Sequence, residues 1–188
     1  MAIYKQPNVK GIDINIQQFQ GFVYLSLLAE WGLSLSWNCY DRAYKNQLKD
    51  GVIPEVYIGN SGSVAVSKDY QEVLINDSVA IQSFFILGDQ VKITGKTATG
   101  QVSLIMMVDI SKVKPTNSNR ADEEIRNDVT RLCMTERYGF KISGIGTGID
   151  QVFKEFSGWR KKQGIAGRDM YPFHCFRIDF DVAYSIYQ

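Results

Sequence analysis

Four groups of residues carry types and spacings that chemistry uses. The first is Gly144, Gly146 and Gly148 in "FKISGIGTGIDQVFKEF", where a short apolar run meets three glycines and a segment with helical spacing follows. A strand, a glycine turn and a helix start form phosphate and dinucleotide sites, because backbone N–H groups can then approach the anion closely. The dinucleotide fingerprint needs G-x-G-x-x-G, and a phosphate loop needs Gly-Lys-Ser/Thr. Here the spacing is G-x-G-x-G, the continuation is Gly-Ile-Asp, and Asp150 would repel a phosphate. The segment therefore reads as a backbone turn, with Thr147 or Asp150 helping to cap a short helix.

The second group is His174 beside Cys175. A Cys–His nucleophile pair requires the two side chains to meet, and neighbours on a strand point to opposite faces. They read as a strand-edge histidine and a packed thiol. The third is Asp179 and Asp181, which share a strand face as paired acid–base carboxylates would. On a solvated face such pairs are ordinarily solubility charges.

The fourth is the loop "GWRKKQGIAGRDM" at 158–170, which sets Trp159 among Arg160, Lys161, Lys162 and Arg168. A tryptophan flanked by cations can stack on bases or dock on an acidic neighbour. The glycines at 158, 164 and 167 suit a loop that orders on contact, which favours a subunit interface. No catalytic, cofactor-binding or metal site is assigned.

These groups hang on a pattern that reads as one α+β domain spanning 1–188, with an extended N-terminal arm at 1–16. "GIDINIQ" alternates with period 2; from Gln17 the residues Phe19, Phe22, Val23, Leu27, Leu28 and Trp31 follow helical spacing up to Gly32. "LSLSWNCY", "PEVYIGN", "QEVLIND", "SVAIQSFFILGD" and "QVKITGKTATGQVSLIMMVDISKV" read as strands. Leu104 to Val108 has no polar alternation and suits a strand covered on both faces. A second helix follows Asn119 as cap, with Asp122, Glu123 and Glu124 in its first turn, the stripe Ile125, Val129, Leu132, Cys133, and Gly139 as its end. In "CFRIDFDVAYSIY" six apolar positions alternate strictly with Arg177, Asp179, Asp181, Ala183 and Ser185, which predicts a long strand with one wet face. The predicted architecture is a mixed, mostly antiparallel sheet with helices packed on one face.

Composition bounds the function. The 188 residues carry 21 basic and 20 acidic side chains, a net charge of +1, which gives no support to a dedicated nucleic-acid binder. Three scattered cysteines without C-x-x-C argue against a zinc site or redox dithiol and point to a reducing compartment. The chain begins without a signal-peptide pattern, and no apolar run reaches membrane-spanning length. Ten Tyr, ten Phe and three Trp favour protein interfaces.

The blocks "GIDINIQQFQ", "DRAYKNQLKDGVIPEVYIGN", "QEVLIND", "SFFILGD", "VDISKVKP", "NRADEEIRNDV", "FKISGIGTGIDQVFKEFSGWR" and "YPFHCFRIDF" together resemble a family of proteins in tailed phages and prophages of Bacteroides-type bacteria, in the setting of the crAss-like phages. That family is similar to tail-terminator and neck ring proteins. The resemblance implies a small α+β fold assembling as a homo-oligomeric ring around the DNA channel of the head-to-tail connector or tail. It implies portal, ring or tail proteins as neighbours, DNA passing without sequence-specific binding, no membrane, no catalysis and no cofactor. The protein would then be a virion component assembled in the host cytoplasm. On that view Trp159, Arg160, Lys161, Lys162 and Arg168 are candidate subunit-interface residues, and Asp179 and Asp181 candidate channel-facing residues. Two alternatives remain: a nucleotide-binding enzyme using 144–148, and a nucleic-acid-binding module using 158–170.

Overall fold

A computed structural model describes residues 2–32, 37–57, 69–115, 120–162 and 169–187. The chain runs β1 (Ala2–Tyr4), α1 (Ile12–Glu30), β2 (Trp37–Leu48), β3 (Gly51–Tyr57), β4 (Tyr70–Glu72), β5 (Ile81–Thr94) and β6 (Thr97–Asp109). It continues through α2 (Ile110–Val113), α3 (Asp122–Cys133), a 3₁₀ turn (Arg137–Gly139), β7 (Phe140–Thr147), α4 (Ile149–Val152), α5 (Ser157–Lys162) and β8 (Phe173–Ser185). The strands form one mixed sheet in the order β4-β3-β2-β5-β6-β8-β7, with β1 added in parallel to the start of β2. Among the described strands β1–β2 and β2–β5 are parallel pairs and the rest are antiparallel, as the sequence pattern predicts.

The centre is β6 paired with β8 in unbroken register from Thr97↔Ser185 to Asp109↔Phe173. Leu104 to Val108 are all buried, alternately on the two faces. One face is covered by α1 and α3. Ile12, Ile16, Phe19, Val23 and Leu27 of α1 and Ile125, Val129 and Cys133 of α3 pack on Phe85, Leu104, Met106, Phe176, Ile178 and Phe180. Phe19 stacks on Phe140 at 4.1 Å between ring centres, with Phe180 edge-on to both. Buried aromatic pairs of this kind add about 0.5–1.5 kcal/mol each beyond their area. Many of the aromatics that composition assigned to interfaces are thus core.

The second face is not bare, and here the expectation of helices on one side needs amending. The short α4–α5 segment lays Val152, Phe153, Phe156 and Trp159 over Phe84, Ile86, Ile105, Met107 and Cys175. Its close seating depends on two glycines. A Cβ on Gly158 would lie 2.8 Å from the Gly51 carbonyl carbon, and one on Gly51 would lie 2.7 Å from Gly158 Cα. Two backbones can approach so closely only where both side chains are absent.

Other boundaries moved. The arm read at 1–16 does not exist as such: Ile12, Ile14 and Ile16 lie in α1, where Ile12 and Ile16 continue the buried i, i+4 stripe into Phe19. Ala121 precedes the first residue of α3, and Asn119 lies outside the described residues. α3 ends at Cys133, so Gly139 closes the 3₁₀ turn instead. "QEVLIND" contributes only Gln71 and Glu72 to the short β4.

The segment between β1 and α1 is tied down by Asp41 of β2. Its Oδ2 accepts from the Gln6 backbone N–H at 2.7 Å and from Gln17 Nε2 at 2.8 Å. Burial pushes the Asp41 carboxyl up from 3.8 to about 6, against the hydrogen bonds from Gln6 and Gln17 and the charge of Lys5, and with a small contribution from Asp13. The folded state therefore holds the proton more tightly than the unfolded chain, and stability falls as pH rises from about 4 through 6. Asp41→Asn keeps an acceptor for Gln6 and Gln17 without ionising. Urea titrations across pH should show that slope flattened in the variant and a gain on the order of 2 kcal/mol at neutral pH.

Candidate functional site

The half of the second face that α4–α5 leaves uncovered forms a polar cleft of about 400 Å³. Its floor is Ser103 of β6, Arg177 and Asp179 of β8 and Gly144 of β7; Lys45 of β2 and Lys154 and Glu155 of the α4–α5 link stand at its sides. Strand alternation places Ser103, Arg177 and Asp179 on this face, and the register sets Ser103 directly opposite Asp179.

Arg177 organises the site. It is only 6% exposed. Its Nη1 donates to both Glu155 oxygens, at 2.8 and 2.6 Å. Its Nε donates to Asp179 Oδ1 at 2.6 Å and its Nη2 to Ser103 Oγ at 2.6 Å. The Ser103 hydroxyl donates in turn to Asp179 Oδ1 at 2.5 Å. Burial disfavours the guanidinium charge, but the bonds and charges of Glu155 and Asp179 outweigh it and hold its pKa above the ordinary arginine value. Lys45 is paired with Asp89 across the cleft rim.

Chemically this is a clamp. Ser103 gives its proton toward a carboxylate already held by a guanidinium, and His174 lies on the other face of the sheet, stacked on Phe176. What the network does is fasten Glu155, between α4 and α5, to the central strands. Removing one member of a buried ion pair leaves its partner uncompensated, at a cost of about 3–5 kcal/mol.

The glycines that looked like a turn are largely strand. Gly144 and Gly146 pair with Asp179 and Arg177 in the β7–β8 ladder, after a register shift beyond Ile142. Only Gly148, at φ 80°, makes the turn, as the residue preceding α4. A phosphate cradle needs a loop of free N–H groups, and 144–147 is instead a sheet strand whose missing side chains keep the cleft floor low.

Trp159 is not at a surface. It is fully buried, its Nε1 donates to the Val73 carbonyl at 2.9 Å, and Phe84, Phe153 and Phe156 meet its ring. The apolar spacing Val152, Phe153, Phe156, Trp159 was the available signal, and the neighbouring cations drew attention from it. Arg160, Lys161 and Lys162 continue α5 in backbone; their side chains and Arg168 lie outside the described residues. Asp181 is exposed opposite Lys141, whereas Asp179 is half-buried in the clamp.

His174 and Cys175 diverge as strand geometry requires. His174 is buried, not at a wet strand edge, with Nδ1 3.2 Å from Asp169 Oδ1 and 3.8 Å from Asp122 Oδ2. Cys175 packs in the cluster beneath α4–α5. Cys39 and Cys133 are buried too, and burial pushes both thiols up to about 12, which keeps the nucleophilic thiolate scarce. Among the described residues no cluster of three or more His, Cys, Asp or Glu side chains could hold a metal, and no helix is long and apolar enough to cross a membrane.

Alternation in β8 puts Arg177 on a wet face and leaves no local sign of the clamp, because Glu155 and Ser103 are 22 and 74 positions away. Two substitutions separate the roles. Arg177→Ala should lower unfolding free energy by about 3–5 kcal/mol in urea titrations. Trp159→Ala should cost a similar amount, about 3–5 kcal/mol, as core tryptophans do; a stability unchanged within 0.5 kcal/mol, the usual range for surface substitutions, would return Trp159 to the surface.

Comparison with known proteins finds no matching family model, no matching curated protein and no matching solved structure.

Proposed function

We propose that the chain is a structural virion protein of the phage neck or tail, acting by ring assembly around the DNA channel and carrying out no catalysis. The sequence resemblance motivates the reading. The structural observation that carries it is the pair of open sheet edges. β7 ends the sheet on one side, and no described strand lies outside it. Towards the other side, where the strand order ends in β4, β2 pairs with β5 only as far as Ile86, so among the described residues the end of β5 has β6 on one flank and no strand on the other. Unpaired edges are templates for another chain.

The two edges suit one another. Ile145 of β7 is 46% exposed, and Val91 and Ile93 of β5 are 43% and 65% exposed. Following the register through β6 to β8, Ile145 lies opposite Ile178, while Val91 and Ile93 lie in line with Val182 and Tyr184. These β8 residues share one face, so the exposed apolar side chains of both edges lie on the same face of the sheet. β7 runs antiparallel to β5, so a neighbour displaced sideways with its strand direction kept would add an antiparallel strand. A contact between two different edges is heterologous, and, repeated by a rotation that closes, it makes a ring.

Portal, ring or tail proteins are the neighbours this assembly would meet. Of the two channel candidates, Asp181 remains an exposed acidic group on the cleft face, which suits a lumen through which DNA slides; Asp179 is committed to Arg177 and Ser103. Mass photometry and negative-stain microscopy of the purified protein should show closed rings. Ile145→Lys should leave a folded monomer, because a charged edge residue blocks pairing. A wild-type protein that stays monomeric and is absent from particles overturns the reading.

A further inference from the structure

Beneath α1, the core contains a polar chamber that the assembly reading does not use. Gln20 of α1, Trp37 and Cys39 of β2, Ser83 of β5 and Tyr24 line a space of about 10 Å³. That is about the room one water centre needs. Gln20 is 3% exposed and Trp37 2% exposed. Both amide atoms of Gln20 and the indole N–H of Trp37 are buried and have no hydrogen-bond partner in the protein. The three tryptophans differ here. Trp31 Nε1 donates to Asp128 Oδ2 and Trp159 Nε1 to the Val73 carbonyl, both at 2.9 Å.

A buried polar atom with no partner loses its hydration without return, at about 1–3 kcal/mol each. Three such atoms at one place therefore point to a ligand that both accepts and donates hydrogen bonds and is no larger than the space. We propose that this chamber binds a single internal water. It accepts from Trp37 Nε1, donates to Gln20 Oε1, and has the Ser83 hydroxyl as a third partner. Two to four such bonds are what internal waters make. The remaining walls, Val23, Phe85, Leu104 and Met106, are apolar. This site explains a glutamine on the buried stripe of α1, at a position where helical spacing alone asks for an apolar residue.

The indole protons give the test. In water-selective NOESY and ROESY spectra of the full chain, the Trp37 Hε1 resonance should show a direct cross-peak to a long-lived water, and the Trp159 Hε1 resonance should show none. Gln20→Leu fills the chamber and removes the acceptor, so the Trp37 cross-peak should be lost while the Trp159 resonance stays in place. Absence of the wild-type cross-peak overturns the proposal. So does its persistence in Gln20→Leu, or a crystal structure in which the Gln20 amide bonds Trp37 Nε1 directly. Should Gln20→Leu fail to fold, the wild-type spectra decide by themselves.

Discussion

The pairing of β6 with β8 along 13 residues is the constraint from which the other placements follow. β6 is apolar on both sides through its middle, whereas β8 is apolar on one side and carries Arg177, Asp179 and Asp181 on the other, so the pair needs a full cover on one face and only a partial cover on the second. The long amphipathic α1 and α3 supply one cover in full. On the other face the helical cover among the described residues is the ten residues of α4 and α5 together, which with Val73 covers the end of the pair near Cys175 and Met107 but not the end near Ser103 and Asp179. The boundary between covered and uncovered sheet is where Arg177 stands. Fold, cleft and clamp are one consequence of unequal cover.

The unequal cover also decides what could be read in the sequence. Strict alternation in β8 revealed a strand with an apolar side, and that side faces α1 and α3. The charges of Arg177, Asp179 and Asp181 make the other side read as uniformly wet. In fact Cys175 and Arg177 on it are buried and Asp181 is exposed. Alternation reports the chemistry of a face, while its burial depends on an element elsewhere in the chain. The same limit applied to Trp159. Its local context is basic and glycine-rich, and the partners that bury it come from β5 and the residues after β4.

At the N-terminus two periodicities overlapped. Ile12, Ile14 and Ile16 satisfy a period of 2, and Ile12 and Ile16 equally satisfy a helical i, i+4. β-branched residues favour strands locally, yet burial of Ile12 and Ile16 with Phe19 against the sheet decides for the helix. The secure readings were those with several agreeing signals. α3 has its acidic first turn and its apolar stripe, and Leu104 to Val108 is too continuously apolar for any exposed site. The candidate site had no such redundancy, because a clamp made by Ser103, Glu155 and Arg177 leaves no local pattern.

Why a charged clamp at this boundary, when apolar residues of similar volume often stabilise as well or better? An apolar side chain at position 177 would have to stay dry beside a cleft that water enters. It would also accept any neighbouring hydrophobe as a partner. A guanidinium with two carboxylates and a hydroxyl accepts one arrangement, since every donor direction must find its acceptor. That fixes Glu155, and Glu155 fixes the step from α4 to α5. With the step fixed, Phe156 and Trp159 enter the core at one depth, and Gly158 meets Gly51 at a separation that tolerates no side chain. A cover of ten helical residues has too little apolar area to define its own position by packing alone. The clamp supplies the missing specificity, and its polarity keeps the uncovered half of the face soluble.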